Sequence, residues 1–192
     1  MVISDNGAEG LMMEAMHAMG DETTMTDVIK LDNIGNKDSF TWYGPEWASA
    51  ATAPSRGWKT WPTEGGIRCP CLIGYPAFNA APTSISHKFM TVMDLLPTML
   101  ELVEIPPVGN LFHDRQVVPV KGKSWVSHLS SRHFEATPVH DEDAHVHGWE
   151  LIGLCTIRKR KWKAVWIPAR GKGLWELYQI EDDQAEAQDL SA

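Results

Sequence analysis

Two neighbouring side chains near the start of the chain, Asp5 and Asn6, carry oxygen atoms of the kind that bind hard metal ions. A carboxylate and an amide oxygen suit calcium or magnesium rather than zinc. They follow Val2 and Ile3, which read as the end of a buried strand. Side chains inside a strand alternate between faces, but beyond its carboxyl end the backbone turns, Gly7 permits unusual dihedral angles, and the two oxygens can converge. The triplet Asp-Asn-Gly is also typical of a tight turn, so both interpretations stay open.

A second candidate is Lys59, which lies in the aromatic, glycine-rich stretch APSRGWKTWPTEGGIRCPCLIGYP. Taken alone, it has the ordinary interpretation of a solvated loop lysine. Residues 33–66 are predicted to be loop, and their abundant tryptophan and tyrosine indicate order rather than disorder. Glu64 in this stretch is explained better as a residue that ties down the loop than as a residue of a cleft.

Histidines and cysteines form two further groups with metal-binding side chains. His140, His145 and His147 resemble a metal cluster in composition, but they lie among acidic residues, which favours a surface loop. Cys69 and Cys71 are separated by one residue, an awkward spacing for a redox or metal site, so packing is the favoured role.

The predicted elements that position these residues alternate between helix and strand. Residues 11–20 have methionines at helical spacing, and CPCLIGYP is a short strand closed by proline. A helix begins near Asp94, which is expected to cap it, with Pro97 in the first turn and Pro106 beyond its end. Its apolar stripe is Leu96, Met99, Leu100 and Val103.

The carboxyl-terminal part of the chain is predicted to be a small antiparallel sheet. Residues 150–180 read as three strands, in which Lys163 and Val165 alternate with tryptophan and alanine. The basic run RKRK is interpreted as a solvated hairpin turn. An α/β part followed by such a sheet gives a mixed α/β (α+β) fold.

Composition limits the classes of function. The chain has 192 residues, of which 43% are hydrophobic, so it has enough apolar material for a core. Its net charge of -8 gives it no general attraction to nucleic acid or to an anionic membrane. No apolar run reaches the roughly 18 residues of a transmembrane helix. The first residues lack the layout of a signal peptide, which favours an intracellular location without fixing the compartment.

Five segments in order resemble the carboxyl-terminal half of a type I sulfatase, an arylsulfatase of the alkaline-phosphatase superfamily. They are SDNGAEG, WYGPEWASAATAPSRGWKTWPTEGGIRCP, VMDLLPTMLELVEI, IRKRKWKAVWIP and LWELYQIEDDQAEAQDL. The resemblance implies that residues 1–108 are part of an α/β sandwich catalytic domain and that residues 109–192 are a small antiparallel-sheet subdomain. The chain departs from the family pattern where a proline, an aspartate and a helix-ending glycine are usual, at Gln184, Gln179 and Glu104.

The resemblance also implies a site and a reaction. Asp5 and Asn6 match two ligands of a calcium ion, with magnesium as the alternative. Lys59 matches the lysine that binds a small-molecule sulfate ester, and Asp5 is expected to take part in catalysis as a proton acceptor. The family nucleophile is formylglycine, made from the first residue of a Cys/Ser-x-Pro-x-Arg motif, and this sequence has no such motif.

The sequence is therefore interpreted as a fragment of a sulfuric ester hydrolase whose nucleophile belongs to a missing amino-terminal half, the expected partner of this chain. Alone it is expected to be inactive. Two alternatives stay open. One is a non-catalytic remnant that binds a partner or an anion, and the other is a phosphonate or phosphate monoester hydrolase of the same superfamily.

Overall fold

The computed structural model describes residues 1–10, 31–37, 39, 44–78, 84–132, 136–168 and 173–191. The helix predicted for residues 11–20 lies outside the described residues. The fold is mixed α/β, as predicted, and it contains two compact units. One unit consists of Met1–Leu72 with Val146–Ala192, and the other of Ile73–His145. The predicted boundary at residue 108 between a catalytic domain and a subdomain stays a prediction.

The first unit opens with a short antiparallel pair. Strand β1, Val2–Ile3, pairs with β2, Cys71–Leu72. Between them lie a 3₁₀ helix at Leu31–Asn33 and the helices α1, Gly44–Thr52, and α2, Glu64–Ile67. The prediction of loop for residues 33–66 is therefore wrong for these helices. The alanines and Glu46 of α1 favour helix over the glycines and prolines around them.

A four-stranded antiparallel sheet completes this unit and confirms the small carboxyl-terminal sheet. Its strand order is β5-β6-β7-β8, so each strand pairs with its neighbour in sequence. Four strands form rather than three, because residues 147–151 pair with β6 along their whole length. The strands are β5, His147–Leu151; β6, Leu154–Lys159; β7, Trp162–Trp166; and β8, Trp175–Gln179.

One face of this sheet is buried. Val165, Ile167, Tyr178 and Ile180 form its hydrophobic core. The side chains of β7 alternate as predicted, and the buried face is the one that carries Lys163 and Val165. The hairpin turn predicted at RKRK is present, and Arg160 there has a left-handed backbone with φ 52°.

The second unit is built around one helix. The 3₁₀ turn Val92–Asp94 leads into α3, Leu95–Leu102, and Pro97 lies in the first turn as predicted. The helix ends before Glu104, whose left-handed φ of 57° stops it two residues ahead of the prolines. The unit also contains β3, Leu111–Phe112; β4, Arg115–Gln116; and α4, Val126–Ser130.

Asp94 does not cap α3 with its side chain, contrary to the prediction. Its carboxylate instead accepts the backbone N–H groups of Thr91, at 2.7 Å, and Lys123, at 2.8 Å. It also lies 2.8 Å from Nε2 of the buried His140. Burial raises the pKa of Asp94, but these bonds more than offset that effect, and the pKa is held below its usual value.

The apolar stripe predicted for α3 is wrong in part. Leu96 and Val103 are 54% and 60% exposed, whereas Thr98 is buried. The Thr98 hydroxyl donates to the carbonyl of Asp94 and accepts the N–H of Trp125. The helix is therefore fixed in its unit by a polar network. No helix among the described residues has both the length and the apolar character to span a bilayer.

Candidate active site

Asp5 and Asn6 follow β1 immediately, so they lie at the carboxyl end of a strand as predicted. Asp5 is exposed and Asn6 is half-buried. The Ser4 backbone N–H donates to the carbonyl of Pro70, and the Ser4 hydroxyl donates to the carbonyl of Asn6 at 2.8 Å. These bonds hold the turn in which the two candidate ligands stand.

The turn is packed backbone to backbone against α2. The N–H of Gly7 donates to the carbonyl of Gly66 at 3.1 Å. A Cβ on Gly7 would lie 2.0 Å from the carbonyl oxygen of Gly65, so only glycine fits here. Gly65 in turn packs against Gly57, whose carbonyl oxygen would lie 2.2 Å from a Cβ on Gly65. The glycines of both motifs therefore bring the segment 4–10 and the segment 56–70 together.

Lys59 is placed beside the same segment. Its backbone N–H donates to the carbonyl of Ala8 at 2.9 Å. Its Nζ lies 2.6 Å from Oε2 of Glu9, and both side chains are about one-third exposed, at 34% and 31%. The indole ring of Trp58 lies close to Gly10, where a Cβ would be 2.5 Å from it. The structure thus brings the lysine to the chain segment that carries Asp5 and Asn6.

A buried ion cluster anchors the loop of Lys59 to the sheet. The ammonium of Lys163, which is 0% exposed, lies 2.8 Å from Oε1 of Glu64 and 2.7 Å from Oε1 of Glu186. The other carboxylate oxygen of Glu186 accepts the backbone N–H of Glu64. Burial raises the pKa of Glu186, against the attraction of Lys163 and its hydrogen bond. Glu64 ties down the loop, as the sequence indicated.

Arg56 extends this cluster. It lies 3.5 Å from Glu186, 2.9 Å from Glu176 and 3.1 Å from the hydroxyl of Tyr178. Its guanidinium also stacks over the Tyr178 ring at 5.0 Å. Burial, and then the hydrogen bond to Glu176, raise the pKa of Tyr178, so its hydroxyl stays protonated and donates to Glu176. The loop therefore begins and ends at fixed charged contacts, with Lys59 between them.

The candidate metal ligands are of the type that a hard divalent cation prefers, but they are too few to complete its coordination shell. Asp5 and Asn6 supply two oxygens, whereas calcium takes about six to eight. Within the residues that the structure describes, no group of three or more histidine, cysteine, aspartate or glutamate side chains is arranged to hold a metal. Burial, and then the nearby Asp5, raise the pKa of the Cys69 thiol, so Cys69 is not an activated nucleophile.

Two of the three histidines lie close together: the ring centroids of His140 and His145 are 6.0 Å apart. His140 is buried against Asp94 and packs edge-on against Phe89, with ring centroids 5.7 Å apart. His147 begins strand β5.

Sequence reasoning missed Glu9, for which the signal was an acidic residue four positions after Asp5 in SDNGAEG. It also missed the cluster partners Lys163 and Glu186.

Comparisons with known proteins agree with the resemblance seen in the sequence. No family model matches the chain. An uncharacterized sulfatase of Schizosaccharomyces pombe is 47% identical over 191 residues, which is 98% of this chain and 33% of that protein. An arylsulfatase of Klebsiella aerogenes is 36% identical over 94 residues, or 48% of this chain and 20% of that protein. The chain thus spans about a third of the length of the Schizosaccharomyces pombe relative. These matches confirm the resemblance to sulfatases that was seen in the sequence.

Proposed function

We propose that this chain supplies the anion-binding amine and two metal ligands of a sulfuric ester hydrolase. The observation that carries the proposal is the contact of Lys59 with the segment that bears Asp5 and Asn6, through the 2.9 Å bond to Ala8 and the 2.6 Å pair with Glu9. The matches to a sulfatase and an arylsulfatase favour sulfate esters over phosphonate or phosphate esters as substrates.

In this proposal each side chain has a role that its chemistry supports. Asp5 and Asn6 would bind calcium, or magnesium, and the bound cation would neutralise charge on the sulfate group. The ammonium of Lys59 donates hydrogen bonds to sulfate oxygens and stabilises the charge that develops as the S–O bond breaks. A carboxylate oxygen of Asp5 accepts a proton from the attacking nucleophile, which is expected to be a formylglycine outside this chain.

The test is hydrolysis of a chromogenic aryl sulfate by the full-length gene product that carries this chain, with calcium present. Lys59→Ala should lower kcat/KM by about 10²–10³-fold, because one donor to a developing negative charge contributes that much. Asp5→Ala should abolish calcium-dependent activity.

Lys121→Ala is the matched control, since Lys121 is an exposed lysine to which the proposal assigns no role. It should leave kcat/KM unchanged. Full activity of Lys59→Ala, or calcium-dependent turnover by Asp5→Ala, would contradict the proposed roles. A preference for phosphate monoesters over aryl sulfates would replace the proposed substrate class.

A further inference from the structure

Glu9 is a charged residue beside Lys59, and the proposed function gives it no role. Its carboxylate lies 2.6 Å from the ammonium of Lys59, within reach of a charge-assisted hydrogen bond. Both side chains are about two-thirds buried. Since a partly exposed ion pair contributes only about 0–1 kcal/mol to stability, stability alone does not account for this contact.

Backbone contacts place Glu9 and Lys59 next to each other. The 2.9 Å hydrogen bond from the Lys59 N–H to the carbonyl of Ala8 fixes the segment of Lys59 beside the segment of Glu9. On the other side of Glu9, Gly10 is buried against the Trp58 ring. Glu9 is therefore held between two fixed points and faces a lysine that is fixed at its own backbone.

A lysine side chain needs such a restraint if it is to act on a substrate. Its flexible stem carries about 2 kcal/mol of rotamer entropy, and its ammonium group has three N–H donors. A carboxylate that accepts one of these donors restrains the stem and fixes the place of the ammonium group. Glu9 reaches Lys59 from the segment that carries Asp5 and Asn6, so it fixes the amine relative to those residues.

We infer that Glu9 is a positioning residue for Lys59: it holds the ammonium in the place from which Lys59 acts on a sulfate group, and it does not touch the substrate itself. This inference rests on the proposed function of Lys59. It adds a fourth residue to the site and explains why the segment after the Asp-Asn-Gly turn carries an acid beside an anion-binding amine.

The kinetic test compares two variants of the full-length protein in aryl sulfate hydrolysis. Glu9→Ala removes the acceptor and should lower kcat by about 10²-fold, the effect of a misplaced catalytic group. Glu9→Gln keeps an oxygen acceptor and should recover most of this loss. In a Lys59→Ala background, Glu9→Ala should cost nothing further, because residues that act as a unit are not additive.

A second measurement does not depend on activity. In the 192-residue chain, the rate at which acetic anhydride modifies Lys59 is followed by peptide mass spectrometry. Glu9→Ala should raise that rate about threefold or more, because an ammonium that is hydrogen-bonded to a carboxylate is less available as a free amine. The modification rate of the exposed Lys121 in the same sample should not change.

The outcomes separate this inference from the proposed function. If Lys59→Ala retains activity, the proposed function fails; the acetylation rates still decide whether Glu9 holds the amine. If Lys59→Ala is inactive while Glu9→Ala is fully active, or if the two losses add, the positioning role is overturned. Glu181→Ala, at an exposed glutamate of the same unit, controls for removal of a negative charge, and equal melting temperatures exclude a folding defect.

Discussion

Lys163 has an environment unlike that of an ordinary lysine, which is exposed to solvent. It is fully buried between the carboxylates of Glu64 and Glu186, and its ammonium lies 5.8 Å from the centre of the Trp149 ring. A buried charge is tolerated only when it is paired and hydrogen-bonded. Here the pairing joins strand β7, helix α2 and the carboxyl-terminal segment, so one side chain holds three parts of the unit together.

Lys163→Met is expected to destabilise the protein by about 3–5 kcal/mol, because it leaves two buried carboxylates without their cation. The measurement is the urea midpoint of unfolding. The triple variant with Glu64→Gln and Glu186→Gln should recover part of the loss, since it removes the uncompensated charges. Lys159→Met, at an exposed position on the neighbouring strand, is the matched control. A loss of less than about 1 kcal/mol for Lys163→Met would show that the cluster has little influence on stability.

Helix α3 shows how a local departure from the family pattern is accommodated. Glu104 stands where the sulfatase pattern has a helix-ending glycine, and its φ of 57° is the left-handed conformation that such a glycine adopts. Glu104 therefore adopts the backbone turn that a glycine would adopt at this position. The change leaves steric strain, because a Cβ in this conformation approaches the carbonyl oxygen.

Glu104→Gly is expected to stabilise the second unit by up to about 1 kcal/mol, because relief of strain exceeds the added chain entropy of the unfolded state. Glu101→Gly, at an exposed position inside α3, should have the opposite sign and cost about 1 kcal/mol. Thermal unfolding of the two variants measures the contrast. If both destabilise the protein equally, the left-handed conformation at residue 104 carries no strain.

At the scale of the whole molecule, the proposed site residues of this chain are expected to form only part of a catalytic centre. In the proposed function Asp5 and Asn6 are metal ligands and Lys59 supplies an amine, but the sequence has no Cys/Ser-x-Pro-x-Arg motif from which formylglycine is made. Burial raises the pKa of the thiols of Cys69 and Cys71, which makes them weaker candidates for a nucleophile. The sulfatase relative, of which this chain spans 33%, is a longer protein.

The 192-residue chain alone is therefore expected to hydrolyse no aryl sulfate, even with calcium added. Loss of a covalent nucleophile alone costs on the order of a millionfold in turnover. The assay is release of the chromophore over buffer background, with Asp5→Ala as a control for contaminating enzyme. Turnover that disappears in Asp5→Ala would mean that this chain contains a nucleophile, and Cys69 and Cys71 would be the first residues to substitute.

The sequence by itself indicated the resemblance to sulfatases, the candidate site residues and the small carboxyl-terminal sheet. The resemblance and the roles it implies for Asp5, Asn6 and Lys59 rest on five segments in the family's order, whereas the sheet follows from a short-range signal, the alternation of β7. Short-range signals failed for α1, for the fourth strand and for the side chain of Asp94, because those outcomes depend on partners distant in sequence.

Only the tertiary structure decided which charged residues meet. Glu9 and Lys59 are 50 residues apart in sequence, and Lys163 and Glu64 are 99 apart. No local pattern distinguishes an acid that will pair in the interior from one that stays in solvent, since both are ordinary polar positions until the chain folds. Burial then removes water, and each charge is stable only beside the partner that the backbone has brought to it.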